Sequence, residues 1–133
     1  MLIYLDSQQK HKVIGGKQEW VTLVECINAA GEALAPLLIF KGSDVNTRWI
    51  NEQSPQGWHY ATSKNGWTSN DLGFAWLTRV FDPQTREKAA GHQRLLIADG
   101  HGSHIQANFI AYCMENQIDL LIMLPHCLSL IHI

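Results

Sequence analysis

The stretch from Arg94 to Leu124 constrains the fold more than any other part of this chain. Leu95-Leu-Ile-Ala98 is an apolar run that ends on Asp99, and Gly100-His-Gly-Ser-His104 is a glycine-spaced polar turn. Ile105, Phe109, Tyr112 and Cys113 then recur at the spacing of one helical face. Ser103 supplies a hydroxyl able to cap that helix. Asp119-Leu-Leu-Ile-Met-Leu124 is a second buried-strand pattern, stopped by Pro125. Strand, helix and strand in this order make a parallel crossover, right-handed by default. A chain with such a unit is committed to an α/β sheet with helices packed on it.

The upstream half adds an antiparallel element. Trp20-Val-Thr-Leu-Val-Glu-Cys-Ile27 is rich in β-branched residues that fit a pleated surface. Asn28-Ala-Ala-Gly31 reads as a tight turn, and Leu34-Ala-Pro-Leu-Leu-Ile-Phe40 as the returning strand. Pro36 has no amide hydrogen, so the returning strand is expected at a sheet edge or with a bulge. Ser43 to Gly66 is a turn-rich excursion with one short strand expected around Trp58-His-Tyr-Ala61. Its aromatic residues read either as clamps on the sheet or as a stacking platform for bases.

Thr68-Ser-Asn-Asp71 is a helix start, with a hydroxyl cap followed three residues later by an acid. Leu72, Trp76 and Val80, with Leu77 and Phe81, form the apolar stripe of that helix. Asp82-Pro83 is expected to end it, leaving Gln84 to Gly91 as a polar connection.

Composition narrows the chemistry. Ten basic and twelve acidic residues give a formal net charge of −2, so the chain as a whole has no basic excess with which to hold phosphates. It also contains no basic block of the nuclear-localisation kind. Cys26, Cys113 and Cys127 are scattered, with no C-x-x-C pair, and read as reduced core residues rather than a thiolate zinc site. Met1-Leu-Ile-Tyr-Leu5 lacks the length and charged lead of a signal peptide. No apolar run reaches transmembrane length, and the chain reads as soluble and intracellular.

Asp99 is the principal candidate for chemistry. Open α/β sheets place their sites beyond the carboxyl ends of parallel strands, and a carboxylate there is a hard oxygen ligand suited to magnesium or manganese. Two other readings stand beside that one. Asp99 can serve simply as a helix cap and turn organiser. Asp99, His101 and His104, with His126 approaching from the neighbouring strand, can alternatively form the zinc site of a hydrolase.

Five blocks in order carry a family resemblance. Trp20-Val-Thr-Leu-Val-Glu-Cys-Ile27, Ala33-Leu-Ala-Pro-Leu-Leu-Ile-Phe-Lys-Gly42, Ala61-Thr-Ser-Lys-Asn-Gly-Trp-Thr-Ser69, Asp99-Gly-His-Gly-Ser-His104 and Leu121-Ile-Met-Leu-Pro-His126 cover about Glu19 to Cys127. Together they resemble the DDE endonuclease domain of pogo/Tigger/jerky-type transposases, of the Tc/mariner superfamily. The resemblance implies a ribonuclease-H-like fold: a mixed sheet with an antiparallel hairpin, then a helix, then the parallel strand-helix-strand unit. It also implies a DNA partner, nuclear location, and three carboxylates around two Mg2+ or Mn2+ ions. One ion would activate the attacking water or 3′-hydroxyl and the other would stabilise the leaving oxygen. Asp99 matches the second carboxylate, as a catalytic residue and metal ligand.

The departures from the family pattern shape the remaining expectations. The third carboxylate belongs to a Gln-Pro-Leu-Asp context after the Pro-His block, where this chain has Leu128-Ser-Leu-Ile-His-Ile133. The first belongs to an Asp-Glu-x-Gly-Phe-like context, which is missing from residues 1–18. Asp6 follows an apolar run but is expected in a connection between strands. The chain therefore reads as a remnant or linker over 1–18, a partial, incomplete nuclease domain over 19–127, and an aberrant apolar tail over 128–133. Its expected function is that of a transposase-derived nuclease fragment that does not cut DNA alone. The alternative is an interaction module without catalysis, with Trp49 to Trp67 as the binding surface.

Overall fold

The computed structural model describes residues 2–14, 17–43, 50, 52–66, 68–99 and 106–123, with residues 2–20 described as backbone. Six strands form one sheet in the order β4-β3-β2-β1-β5-β6. They are β1 (Leu2–Ile14), β2 (Lys17–Asn28), β3 (Leu37–Lys41), β4 (His59–Ser63), β5 (Arg94–Asp99) and β6 (Ile118–Met123). β2 is antiparallel to both its neighbours, while β3–β4, β1–β5 and β5–β6 pair in parallel. Five strands therefore share one direction, and their carboxyl ends lie along one edge of the sheet.

The expected hairpin is present. Asn28 organises its turn, with the side-chain oxygen accepting from the amides of Ala30 (3.0 Å) and Glu32 (2.9 Å). Gly31 sits at φ +84°, a left-handed conformation that costs glycine no Cβ clash. Of the two expectations for the returning strand, the edge does not hold, since β3 is interior with β4 beyond it. The bulge does: three residues, Leu34 to Pro36, lie opposite two of β2 between the Ile27–Ala33 and Val24–Leu37 pairs. Pro36 falls just before β3, so its missing amide costs no ladder bond, and its carbonyl accepts from the His59 amide at 2.9 Å.

Within residues 1–18, read from the sequence as a remnant or linker, the described residues form β1 and the start of β2. β1 pairs with β2 from Ile3 to Ile14 and with β5 from Leu2 to Leu5. It is the strand that joins the hairpin to the crossover unit. Asp6, expected in a connection, lies within it.

Three helices are described: α1 (Asn70–Trp76), α2 (Asp82–Ala89) and α3 (Ala107–Glu115). Ser69, one residue later than expected, caps α1, its hydroxyl accepting from the Leu72 amide at 3.2 Å. The helix does not stop at Asp82-Pro83. A five-residue π-helical turn, Leu77–Phe81, links α1 to α2. Pro83 lies just after that turn, within an unbroken helical run from Asn70 to Ala89. The helix ends instead at Ala90, at φ +49°. The expected polar connection is thus mostly helix. α3 begins at Ala107 with Gln106 as its cap residue, and Ser103 lies outside the described residues.

The core forms where the helices meet one face of the sheet. Val24, Cys26, Leu37, Ile39, Leu96 and Ala98 supply the sheet side, and Trp76, Leu77, Val80, Phe81, Phe109 and Cys113 the helix side. Phe81 and Phe109 are fully buried, each contributing on the order of 1.5–3 kcal/mol through burial. Strand residues alternate between faces, so Val21, Leu23, Glu25, Leu95, Ile97 and Asp99 belong to the opposite face. β6 is less buried than its apolar sequence implies. Among the described residues it is an edge strand, with Leu121 and Ile122 each nearly half exposed.

Candidate functional site

The carboxyl edge of the sheet collects acidic residues. Asp99 is the last residue of β5, half-buried, on the face away from the helical core. Leu5 of β1 pairs in parallel with Ala98, so Asp6 and Asp99 are the next residues along two adjacent strands. Adjacent strands lie about 4.8 Å apart, so these are neighbouring positions. On the other side of β1, Glu25 is the register partner of Asp6. Glu25, Asp6 and Asp99 therefore form a row across β2, β1 and β5. Among the described residues no group of three or more His, Cys, Asp or Glu side chains is assembled for a metal.

Two neighbouring aspartates offer hard oxygen donors of the kind that magnesium and manganese take. Placed side by side, two carboxylates repel, and a divalent cation between them removes that repulsion. His101, His104 and His126, the other members of the zinc alternative, lie outside the described residues.

The same edge carries polar groups from the β4–α1 connection. The Thr22 hydroxyl donates to the Gly66 carbonyl at 2.6 Å, tying that connection to β2. The buried Thr68 Oγ1 and Asn70 Oδ1 have no hydrogen-bond partner among the described residues. The aromatic excursion divides. Tyr60 stacks on Phe40 with ring centroids 6.5 Å apart, which fits the clamp reading, whereas Trp58 is exposed. Trp49 and Trp67 lie outside the described residues.

The other end of β5 holds a feature that sequence reasoning missed. Arg94 and Asp82 are 3% and 4% exposed and form a buried ion pair, Nη1 to Oδ1 at 2.7 Å. Arg94 also donates to Thr85 Oγ1 at 3.0 Å and to the Asn116 carbonyl at 2.6 Å. Arg86 and Tyr112 donate to Asp82 Oδ2 at 2.8 and 2.5 Å. Burial by itself would push the Asp82 carboxyl up. Hydrogen bonds from Arg86, Tyr112 and Arg94, with the Arg94 charge, outweigh burial and bring it down from 3.8 to about 2. The knot joins α2, β5 and the end of α3. The one available signal was an arginine opening an otherwise apolar strand, since a cation placed there needs a partner.

The described cysteines carry no chemistry. Burial pushes the Cys26 thiol up to about 12 and the Cys113 thiol up to about 11, and neither forms a disulfide. A cavity of about 290 Å3 opens between the β2–β3 turn and α2, lined by residues that include Leu34, Gln84 and Lys88. It lies toward the amino ends of the parallel strands, away from Asp99.

Comparison with known proteins bears on this edge. Residues 17–133 match the family described as DDE superfamily endonuclease. A curated relative from Cochliobolus lunatus, named MFS-type transporter clz9, is 46% identical over 109 residues. Those residues cover 82% of this chain and 12% of that protein, so the chain spans a small part of the relative's length. Among the described residues no helix is long and apolar enough to cross a membrane. No solved structure matches the chain.

Proposed function

The chain belongs to the DDE superfamily endonuclease family, and we propose that it carries two carboxylates of the metal-dependent nuclease site of a transposase-derived protein. The finer reading is a pogo/Tigger/jerky-type protein acting on DNA in the nucleus, with Asp99 as the second carboxylate and Asp6 standing in for the first. One observation carries it: Asp6 and Asp99 are the next residues after the Leu5–Ala98 pair, at the carboxyl edge of adjacent parallel strands. A central β1 flanked by the hairpin and the crossover unit also supports the ribonuclease-H-like reading of the sheet. On this reading the nuclease unit includes β1 rather than starting at residue 19.

The donor set suits Mg2+ or Mn2+, which when bound would supply Lewis-acid activation of water and of the phosphodiester. The chain's own contribution is to hold two oxygen donors at one level of a rigid sheet. Asp99 is fixed by its position at the end of β5, and Asp6 by its pairing with Glu25 of β2, one residue past the last β1–β5 pair. Two dications about 3.5–4 Å apart need more negative charge than two aspartates supply. Residues 1–133 are therefore proposed to bind one divalent ion and not to cut DNA unaided.

Two measurements test this. Calorimetric titration with Mn2+ is expected to show one site in the parent chain and none in Asp99→Asn. Binding that survives the substitution removes Asp99 from the site. In a Mn2+-dependent plasmid-nicking assay the parent chain is expected to be inactive, and nicking that disappears in Asp99→Ala overturns the inactivity.

A further inference from the structure

The β1–β2 hairpin runs well past the rest of the sheet. β3 pairs with β2 only from Val24 to Val21, and β5 pairs with β1 only from Leu2 to Leu5. Beyond the Lys10–Val21 pair, β1 and β2 continue through His11–Trp20, Lys12–Glu19, Val13–Gln18 and Ile14–Lys17. Among the described residues this part of the ribbon pairs only with itself. At about 3.4 Å per residue it extends about 14 Å past Lys10, and its end lies about 27 Å from Asp6. The ribbon leaves the sheet at the carboxyl edge, where Asp6 and Asp99 lie.

Its charge differs from that of the rest of the chain. Lys10, Lys12 and Lys17 are half of the six lysines, set against one acid, Glu19, in a chain whose net charge is −2. Alternation along β1 places Asp6, Lys10 and Lys12 on one face, and register places Lys17 and Glu19 on that same face. Val21 and Glu25 also belong to it, and their half-burial beside the buried Thr22, Val24 and Cys26 identifies it as the face away from the helices. This is the face to which Asp99 belongs. The lysines are thus in line with the carboxylates, with Lys10 about 14 Å and Lys12 about 20 Å from Asp6 along the strand.

We propose that this ribbon is a nucleic-acid arm, whose Lys10, Lys12 and Lys17 hold the phosphodiester backbone of a DNA duplex beside the carboxylate edge. The proposal rests on the nuclease reading for the choice of DNA as the ligand. It also resolves a conflict within that reading, because a carboxylate site repels the phosphate it must approach. A cation row one to two turns of the duplex backbone long is not needed; a few contacts suffice to hold the strand near the edge. Lysines on exposed strands also serve as guards against edge-to-edge association, and the two roles predict different outcomes.

The test is fluorescence anisotropy of a short DNA duplex with the full chain in EDTA, so that metal binding and cleavage play no part. Each phosphate contact contributes about −0.9 to the slope of log affinity against log salt. Lys10→Gln/Lys12→Gln/Lys17→Gln is expected to flatten that slope by about 2–3 between about 50 and 200 mM salt. The triple Lys→Arg variant should retain it, and Lys88→Gln on α2 should leave it unchanged. Each single Lys→Gln change should flatten the slope by about 0.9, so the series remains readable if the triple variant aggregates. Parental slope and affinity in the triple Gln variant overturn the arm, as does a parent chain that fails to bind the duplex. Neither result touches the Asp99-dependent Mn2+ site, which stands or falls on its own titration. Self-association of the Gln variants with unchanged DNA affinity assigns the lysines to edge protection and also overturns the arm.

Discussion

Strand β5 ends in two opposite ways. At Arg94 a buried cation meets a buried anion, and every strong donor and acceptor around them is paired within the chain. At Asp99 the strand delivers an acid beside the position of another acid, with Glu25 one strand further along. The first arrangement is closed: its charges are neutralised by neighbours, and little is left for a ligand to do. The second concentrates like charge at an edge, which folding alone does not favour. The contrast separates an ion pair buried at one end of the strand from acidic positions gathered at the other.

The largest expected effect lies at the closed end. Asp82→Leu leaves the buried Arg94 without its carboxylate partner, and breaking a buried pair in this way costs roughly 3–5 kcal/mol. Arg94→Leu is expected to cost less, because Arg86 and Tyr112 still donate to Asp82. Removing both charges with Asp82→Leu/Arg94→Leu is expected to cost distinctly less than the sum of the single changes, because no buried charge is left stranded. Urea unfolding of the parent, the two single variants and the double variant checks this. Additive losses would show that the knot is a set of independent contacts, and the contrast with Asp99 would weaken.

How much of this was legible follows the range of the forces involved. The hairpin from Trp20 to Phe40 and the strand ending at Asp99 were readable because β-branched runs and the Asn28–Gly31 turn act locally. β1 was not, because Ser7-Gln-Gln-Lys-His-Lys12 has no apolar alternation and becomes a strand only by pairing with β2. The helix beyond Asp82 was missed because Pro83 reads as a helix stop, whereas a π-helical turn just before it carries the helix past it. The knot was not read because Asp82 and Arg94 lie twelve residues apart and only the folded chain brings them together, the arginine at the head of an apolar strand being the single hint. Of the candidate site, Asp99 was readable from its strand and turn; its neighbour Asp6 depended on a pairing that no local pattern encodes.

A smaller effect comes from acid. The Asp82 carboxyl is held at about 2 against an ordinary 3.8. A depressed carboxylate stabilises the fold above its unfolded value and loses that contribution as pH falls toward the folded one. The shift corresponds to about 2 kcal/mol, lost between about pH 4 and pH 2. Chemical unfolding across this window is expected to show the decline in the parent chain and a shallower one in Asp82→Leu/Arg94→Leu. An equal decline in both would place the acid sensitivity elsewhere and remove the closed end's claim to it.

The smallest effect on stability is expected at the open end. If Asp99 were a helix cap, Asp99→Asn would keep most of the cap, since Asn is as good there, but Asp99→Ala would cost about 1 kcal/mol. If Asp99 is instead one of a pair of facing carboxylates, Asp99→Ala removes a repulsion, and in EDTA it is expected to change stability by less than about 0.5 kcal/mol. Mn2+ should then stabilise the parent by RT ln(1 + [Mn2+]/Kd), about 2.7 kcal/mol when the ion is at one hundred times its dissociation constant, and leave Asp99→Ala unmoved. Thermal unfolding of the two proteins with EDTA and with Mn2+ separates the readings. A loss in EDTA with no manganese effect in the parent would make Asp99 a structural residue like Arg94, and the two ends of β5 would no longer differ in kind.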